Sequence, residues 1–190
     1  GLHLERIREY CRLLARELSV SPTYKDYISD AYIDDLYYSS ILHDIGKVGV
    51  PDAILMKPGK LSPEEFKSIQ RHPIIGGDAI MNVESKIGIR SFLTLGREIA
   101  YCHHEKWDGT GYPKALRGEE IPLSARIVSL ADVYDALTAQ DRPYKPAIPH
   151  DKSCAILRDM AAHGKLNPAL VELFIAKELY RLPEETKPGA

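Results

Sequence analysis

The chain carries two adjacent residue pairs that could hold metal, His43-Asp44 and, sixty positions on, His103-His104. Adjacent imidazoles fill a core poorly, because each needs polar partners once buried. They suit a metal cluster better. Successive helical side chains point about 100° apart, so a neighbouring pair can straddle two ions rather than crowd one. His3, His43, His72, His103 and His104, with Asp44 and Asp132, form a mixed imidazole and carboxylate set. Such ligands suit iron, manganese or zinc rather than calcium or magnesium. Two neighbouring ions need a bridging ligand, which a carboxylate can be and an imidazole cannot. Asp44 is the candidate bridge.

Other residues near these pairs leave two readings open. Asp132 lies inside the apolar helical stretch Ser129-Leu130-Ala131-Asp132-Val133-Tyr134, where an acid needs a partner. Lys47 either complements a helix C-terminus or aims a cation at a phosphate. Asp135, one turn beyond Asp132, either touches substrate or orients a ligand. His150 and His163 are read as ordinary surface or capping groups.

The elements that must position these residues are helical almost throughout. Leu4, Ile7, Cys11, Leu14 and Leu18 step by three and four, so residues 2–19 read as an amphipathic helix. Residues 30–45 give another, with Asp30 as cap and Gly46 as terminator. Ser62-Pro63-Glu64-Glu65 is a capping box with proline at the first helical position. It opens a helix to about Arg71, which Pro73 breaks or kinks. Further helices are predicted over 74–84, 91–104, 123–139, 151–163 and 168–181. Residues 105–121, with Gly109, Gly111, Gly118 and Pro113, read as an irregular loop or short hairpin. The expectation is an all-α bundle of seven to nine helices, one domain over residues 1–182 with a disordered tail over 183–190.

Composition excludes several classes. Net charge is −2 and no basic patch stands out, so duplex nucleic acid is not an expected partner. No apolar run approaches the roughly 20 residues that span a bilayer, and no secretory signal is visible. Cys11, Cys102 and Cys154 are widely spaced and form no Cys-x-x-Cys pair. They read as small buried hydrophobes in a reducing cytoplasm. The first helix begins without a cap, so an upstream regulatory domain is expected. Monomer and homodimer both stay open.

His43-Asp44-Ile45-Gly46-Lys47, followed by His103-His104-Glu105 and Gly111-Tyr112-Pro113, resembles the HD-GYP family, a branch of the HD superfamily of metal-dependent phosphohydrolases. Leu55 to Leu61, Ala131 to Leu137 and Arg142-Pro143-Tyr144-Lys145 extend the likeness over about three quarters of the chain. The resemblance implies a helical fold holding two or three divalent ions, iron or manganese, with zinc admitted. His43, Asp44 and Asp132 would hold one ion, and His72, His103 and His104 a second, with Asp44 between them. His3 matches a histidine that serves a third ion in members with a glutamate one turn earlier, a position that here would precede Gly1.

The implied reaction is hydrolysis of cyclic di-GMP to linear pGpG or GMP, in a bacterial signalling protein. Metal-activated water would attack phosphorus in line with the leaving 3′-oxygen, with Asp44 and Lys47 as catalytic residues. Tyr112 would contact a base or a partner, or simply pack its loop. Arg142 and Lys145 would touch phosphate or guanine, or stand as solvated turn charges. Two rivals remain: another nucleotide phosphohydrolase of the superfamily, and a catalytically silent module that binds nucleotide or a partner.

Overall fold

The computed structural model describes residues 2–88, 92–140 and 146–182. Among them are nine α-helices and no strand. They are α1 (Leu2–Ser19), α2 (Asp30–Ser39), α3 (Asp52–Leu55), α4 (Pro63–Ile69), α5 (His72–Ile87), α6 (Leu93–Cys102), α7 (Leu123–Thr138), α8 (His150–Ala162) and α9 (Pro168–Ala176). Short 3-10 turns lie at Ser40–Leu42, Ile45–Gly49 and Gly118–Glu120. The all-α expectation holds.

The core forms around α1 and α7. Ile7, Cys11, Leu14 and Leu18 of α1 are buried, with Ile127, Val128 and Leu130 of α7 and Leu170, Val171 and Phe174 of α9. Each large side chain so buried contributes roughly 1.5–3 kcal/mol. Tyr10 meets Tyr134 edge to face, with ring centroids 5.4 Å apart, and Phe174 at 5.8 Å. These contacts fix α1 beside α7, and with them His3 beside Asp132.

Several boundaries differ from the sequence reading. Ser29, not Asp30, caps α2, accepting from Tyr32 N–H. The helix ends at Ser39 rather than continuing to residue 45. Ser39 and Ser40 donate back to the carbonyls of Asp35 and Tyr37, a pattern that bends helices, and the chain tightens into 3-10 turns either side of His43-Asp44. The Ser62 and Glu65 capping box is present as expected. Pro73 does more than break a helix. It sits in the first turn of α5, where a missing N–H costs nothing, so α5 begins at His72 and not residue 74. The four-residue α3 was not anticipated. The last helix stops at Ala176 rather than residue 181. Arg142, Lys145 and the 183–190 tail lie outside the described residues.

Candidate metal centre

His43 and Asp44 stand between two 3-10 turns, where the chain presses against the start of α5. Gly46 makes the contact possible. A Cβ there would fall 1.9 Å from the His72 carbonyl oxygen and 2.5 Å from Gly76 N. Backbone-to-backbone approach therefore places Asp44 beside His72. His103 closes the C-terminal end of α6 and His104 follows it. Asp132 projects from the middle of α7 and His3 from the first turn of α1.

Two groups result. Asp44, His72, His103 and His104 form one, and His3, His43 and Asp132 the other, each with ligand atoms within 4.8 Å of one another. Asp44 reaches both. Its Oδ1 lies 3.3 Å from His72 Nε2 and 3.7 Å from His103 Nε2. Its Oδ2 lies 3.4 Å from His43 Nε2. Asp132 Oδ1 is 3.7 Å from His3 Nε2 and 4.0 Å from His43 Nε2. The His43, His72 and His103 rings are almost fully buried, while the Asp44 and Asp132 side chains keep about 30% of their surface open. The site is buried behind and accessible in front.

The donor set fits metal. Nδ1 of His43 faces the Ser40 carbonyl at 2.8 Å, Nδ1 of His72 that of Ile69 at 2.6 Å, and Nδ1 of His103 that of Ile99 at 2.9 Å. A carbonyl only accepts, so each Nδ1 carries the proton and each neutral ring turns an Nε2 lone pair inward. Nε2 of His43 is buried and makes no hydrogen bond among the described residues. Burial holds the His103 imidazole below its ordinary pKa and, with His103 and His72 nearby, lowers His104 to about 2. Both stay neutral, as ligands must. Burial alone would raise the Asp44 carboxyl, but His103, His43 and His72 outweigh it and hold it far below the carboxylate range. His43 moves up for the reciprocal reason, its Asp44 contact outweighing burial.

The surrounding residues divide clearly. Lys47, on the second 3-10 turn, points its ammonium at Asp44 Oδ2 from 2.6 Å at the open rim. Tyr112 stacks on His104, centroids 4.8 Å apart and planes 20° off parallel, and burial with Asp44 nearby pushes its phenol up to about 12. Asp135 is fully buried. It accepts from His3 Nδ1 at 2.6 Å and from Arg6 Nε at 2.5 Å. His150 packs against Tyr134, Tyr180 and Cys154, and His163 is exposed on the surface. Neither joins the cluster.

Two contributors escaped the sequence reading. Arg6 sits one turn after His3, a spacing that alone could have suggested it. Glu105 is buried, and its carboxylate accepts the N–H groups of Lys114 at 2.7 Å and Leu116 at 3.0 Å. It folds the glycine-rich loop back over the centre. An acid directly after two candidate ligands was the available signal.

The chain belongs to the HD domain family, whose model matches residues 3–170, and its motifs are those of the HD-GYP branch. It is 52% identical over 178 residues to a cyclic di-GMP phosphodiesterase of Vibrio cholerae, a match covering 94% of this chain and 36% of that protein. It is 43% identical to a 3′3′-cGAMP-specific phosphodiesterase of the same organism, covering 96% and 36% respectively. The fold resembles that of an HDG"Y"P protein from Bdellovibrio bacteriovorus, with a TM-score of 0.61 and 24% identity over 92% of this chain and 51% of that one. The chain thus spans just over a third of the length of these curated relatives. No helix among the described residues is long and apolar enough to cross a membrane.

Proposed function

We propose that this domain is a metal-dependent phosphodiesterase that opens cyclic di-GMP to pGpG or GMP. One observation carries the reading: the two oxygens of Asp44 face two different ligand groups, His72 with His103 on one side and His43 on the other. That is the arrangement a bridging carboxylate requires. Divalent ions held there, iron or manganese, supply Lewis acidity and lower the pKa of water. His72, His103 and His104 would hold one ion and His43 and Asp132 its neighbour, with Asp44 shared. His3 lies with the second group and serves that ion or a third.

The chain's own residues do the rest. Lys47 stands at the open rim, where its ammonium can meet a non-bridging phosphate oxygen and offset charge gathering on it. Tyr112, backed by His104, walls one side of the same opening and offers a flat surface to a base. Asp135 and Arg6 keep His3 turned inward. Arg142 and Lys145 are further candidate contacts for phosphate or guanine. An output role in a cytoplasmic bacterial signalling protein, with a regulatory domain upstream and pairing as a homodimer, is part of the same proposal.

The test is turnover of cyclic di-GMP by protein purified without oxygen and loaded with iron or manganese. Turnover lost in Asp44→Asn upholds the reading, and undiminished turnover in that variant overturns it. The similarity to a 3′3′-cGAMP-specific relative makes that dinucleotide the alternative substrate. Preferential cleavage of 3′3′-cGAMP would keep the chemistry and change the substrate.

A further inference from the structure

The loop carrying Tyr112 is tied to a part of the fold that supplies no candidate ligand. Asp108 N–H donates to the Gly164 carbonyl in the α8–α9 turn at 2.8 Å. Lys165 Nζ donates to Asp108 Oδ2 at 2.6 Å and to Thr110 Oγ1 at 2.9 Å. Asp108 Oδ1 in turn accepts the N–H and hydroxyl of Thr110 at 2.9 and 2.7 Å. Gly164 permits the approach: its φ is +70°, and a Cβ there would stand 2.8 Å from Asp108 Cβ. Two residues beyond Thr110, Tyr112 donates its N–H to the His104 carbonyl at 3.3 Å and lays its ring on His104.

We propose that the Lys165–Asp108–Thr110 contact, seated on Gly164, fixes Tyr112 over the metal centre, making Lys165 and Asp108 positioning residues for substrate recognition. The proposal rests on the phosphodiesterase reading for its substrate, but not for its geometry. Tyr112 hangs between two supports. One is Glu105, buried and next to the paired histidines. The other is this contact, which lies near the surface and comes from a segment more than fifty residues away. A partly exposed ion pair of this kind adds little to stability. Its consequence is where the loop sits, so losing it should shift the lip without emptying the ligand clusters, neither of which includes Asp108 or Lys165.

The protein contains its own reporter. Trp107 is the single tryptophan, it precedes Asp108, and its carbonyl accepts from Gly118 N–H within the loop at 2.9 Å. The experiment compares manganese-loaded wild type, Lys165→Met, Lys165→Arg and Gly164→Ala. Lys165→Met and Gly164→Ala are expected to raise KM for cyclic di-GMP roughly tenfold, with kcat and metal content unchanged. Acrylamide should quench Trp107 more readily in both, and Lys165→Arg should restore both readouts. Unchanged quenching overturns the proposal, as does a fall in kcat with loss of metal, which would mark a purely structural role. Should wild type leave cyclic di-GMP intact, the phosphodiesterase reading fails. The quenching comparison then decides the positioning claim by itself, with increased quenching reversed by arginine upholding it.

Discussion

Nε2 of His72 and Nε2 of His103 face one another at 3.3 Å, although the other nitrogen of each ring is committed to a backbone carbonyl. Two inward lone pairs at that distance repel unless a cation lies against both. Metal removal should therefore cost stability. A ligand present at 100 times its Kd stabilises by about 2.7 kcal/mol, which for a domain of this size is roughly 5–10 °C in Tm. Calorimetry with manganese and then with chelator should show a shift of that order. His43→Ala, which removes the buried nitrogen facing Asp44 and Asp132, should shrink it.

Asp44→Asn keeps the shape of the bridge and removes its charge. Three imidazoles and Lys47 converge on that carboxylate, so the amide would leave them facing one another. Activity should fall at least 100-fold and metal content should drop by about one ion per chain. Elemental analysis beside a product assay checks both.

Gly46→Ala tests the packing beneath the site. The added methyl meets backbone atoms of His72 and Gly76, which cannot rotate aside. We expect a loss of roughly 3 kcal/mol, at the upper end for overpacking, together with weaker metal binding because His72 is displaced. Urea unfolding of apo and loaded protein separates the two effects.

Asp135 gives a pH dependence of known sign. Burial would raise its carboxyl, but His3 and Arg6 outweigh burial and lower it. A depressed folded-state pKa stabilises above the ordinary aspartate value and loses that contribution as pH falls. Unfolding free energy should thus decline below about pH 4. Asp135→Asn should lack this component and be less stable at pH 7 by about 3 kcal/mol, because Arg6 keeps its charge in a buried setting. Stability measured from pH 3 to 7 in both proteins checks the sign.

The candidate ligands were legible in the sequence because their chemistry is local: paired histidines, and an acid inside an apolar helix. Periodicity likewise revealed α1, since Ile7, Cys11, Leu14 and Leu18 all face the core. Tertiary contacts were not legible. Nothing in the spacing shows that Gly46 touches the His72 backbone, and helical periodicity does not register the serine back-bonding that ends α2 at Ser39. Nor does spacing show that Asp135 is buried against Arg6. Lys165 lies 57 residues from Asp108, and its role emerges only once α8 and α9 fold back on the loop.

The most direct measurement is anomalous scattering from crystals grown with manganese. Two peaks should appear, one on each side of the Asp44 carboxylate, one against His72, His103 and His104 and the other against His43 and Asp132. A single peak, or peaks remote from Asp44, would contradict the shared-carboxylate centre.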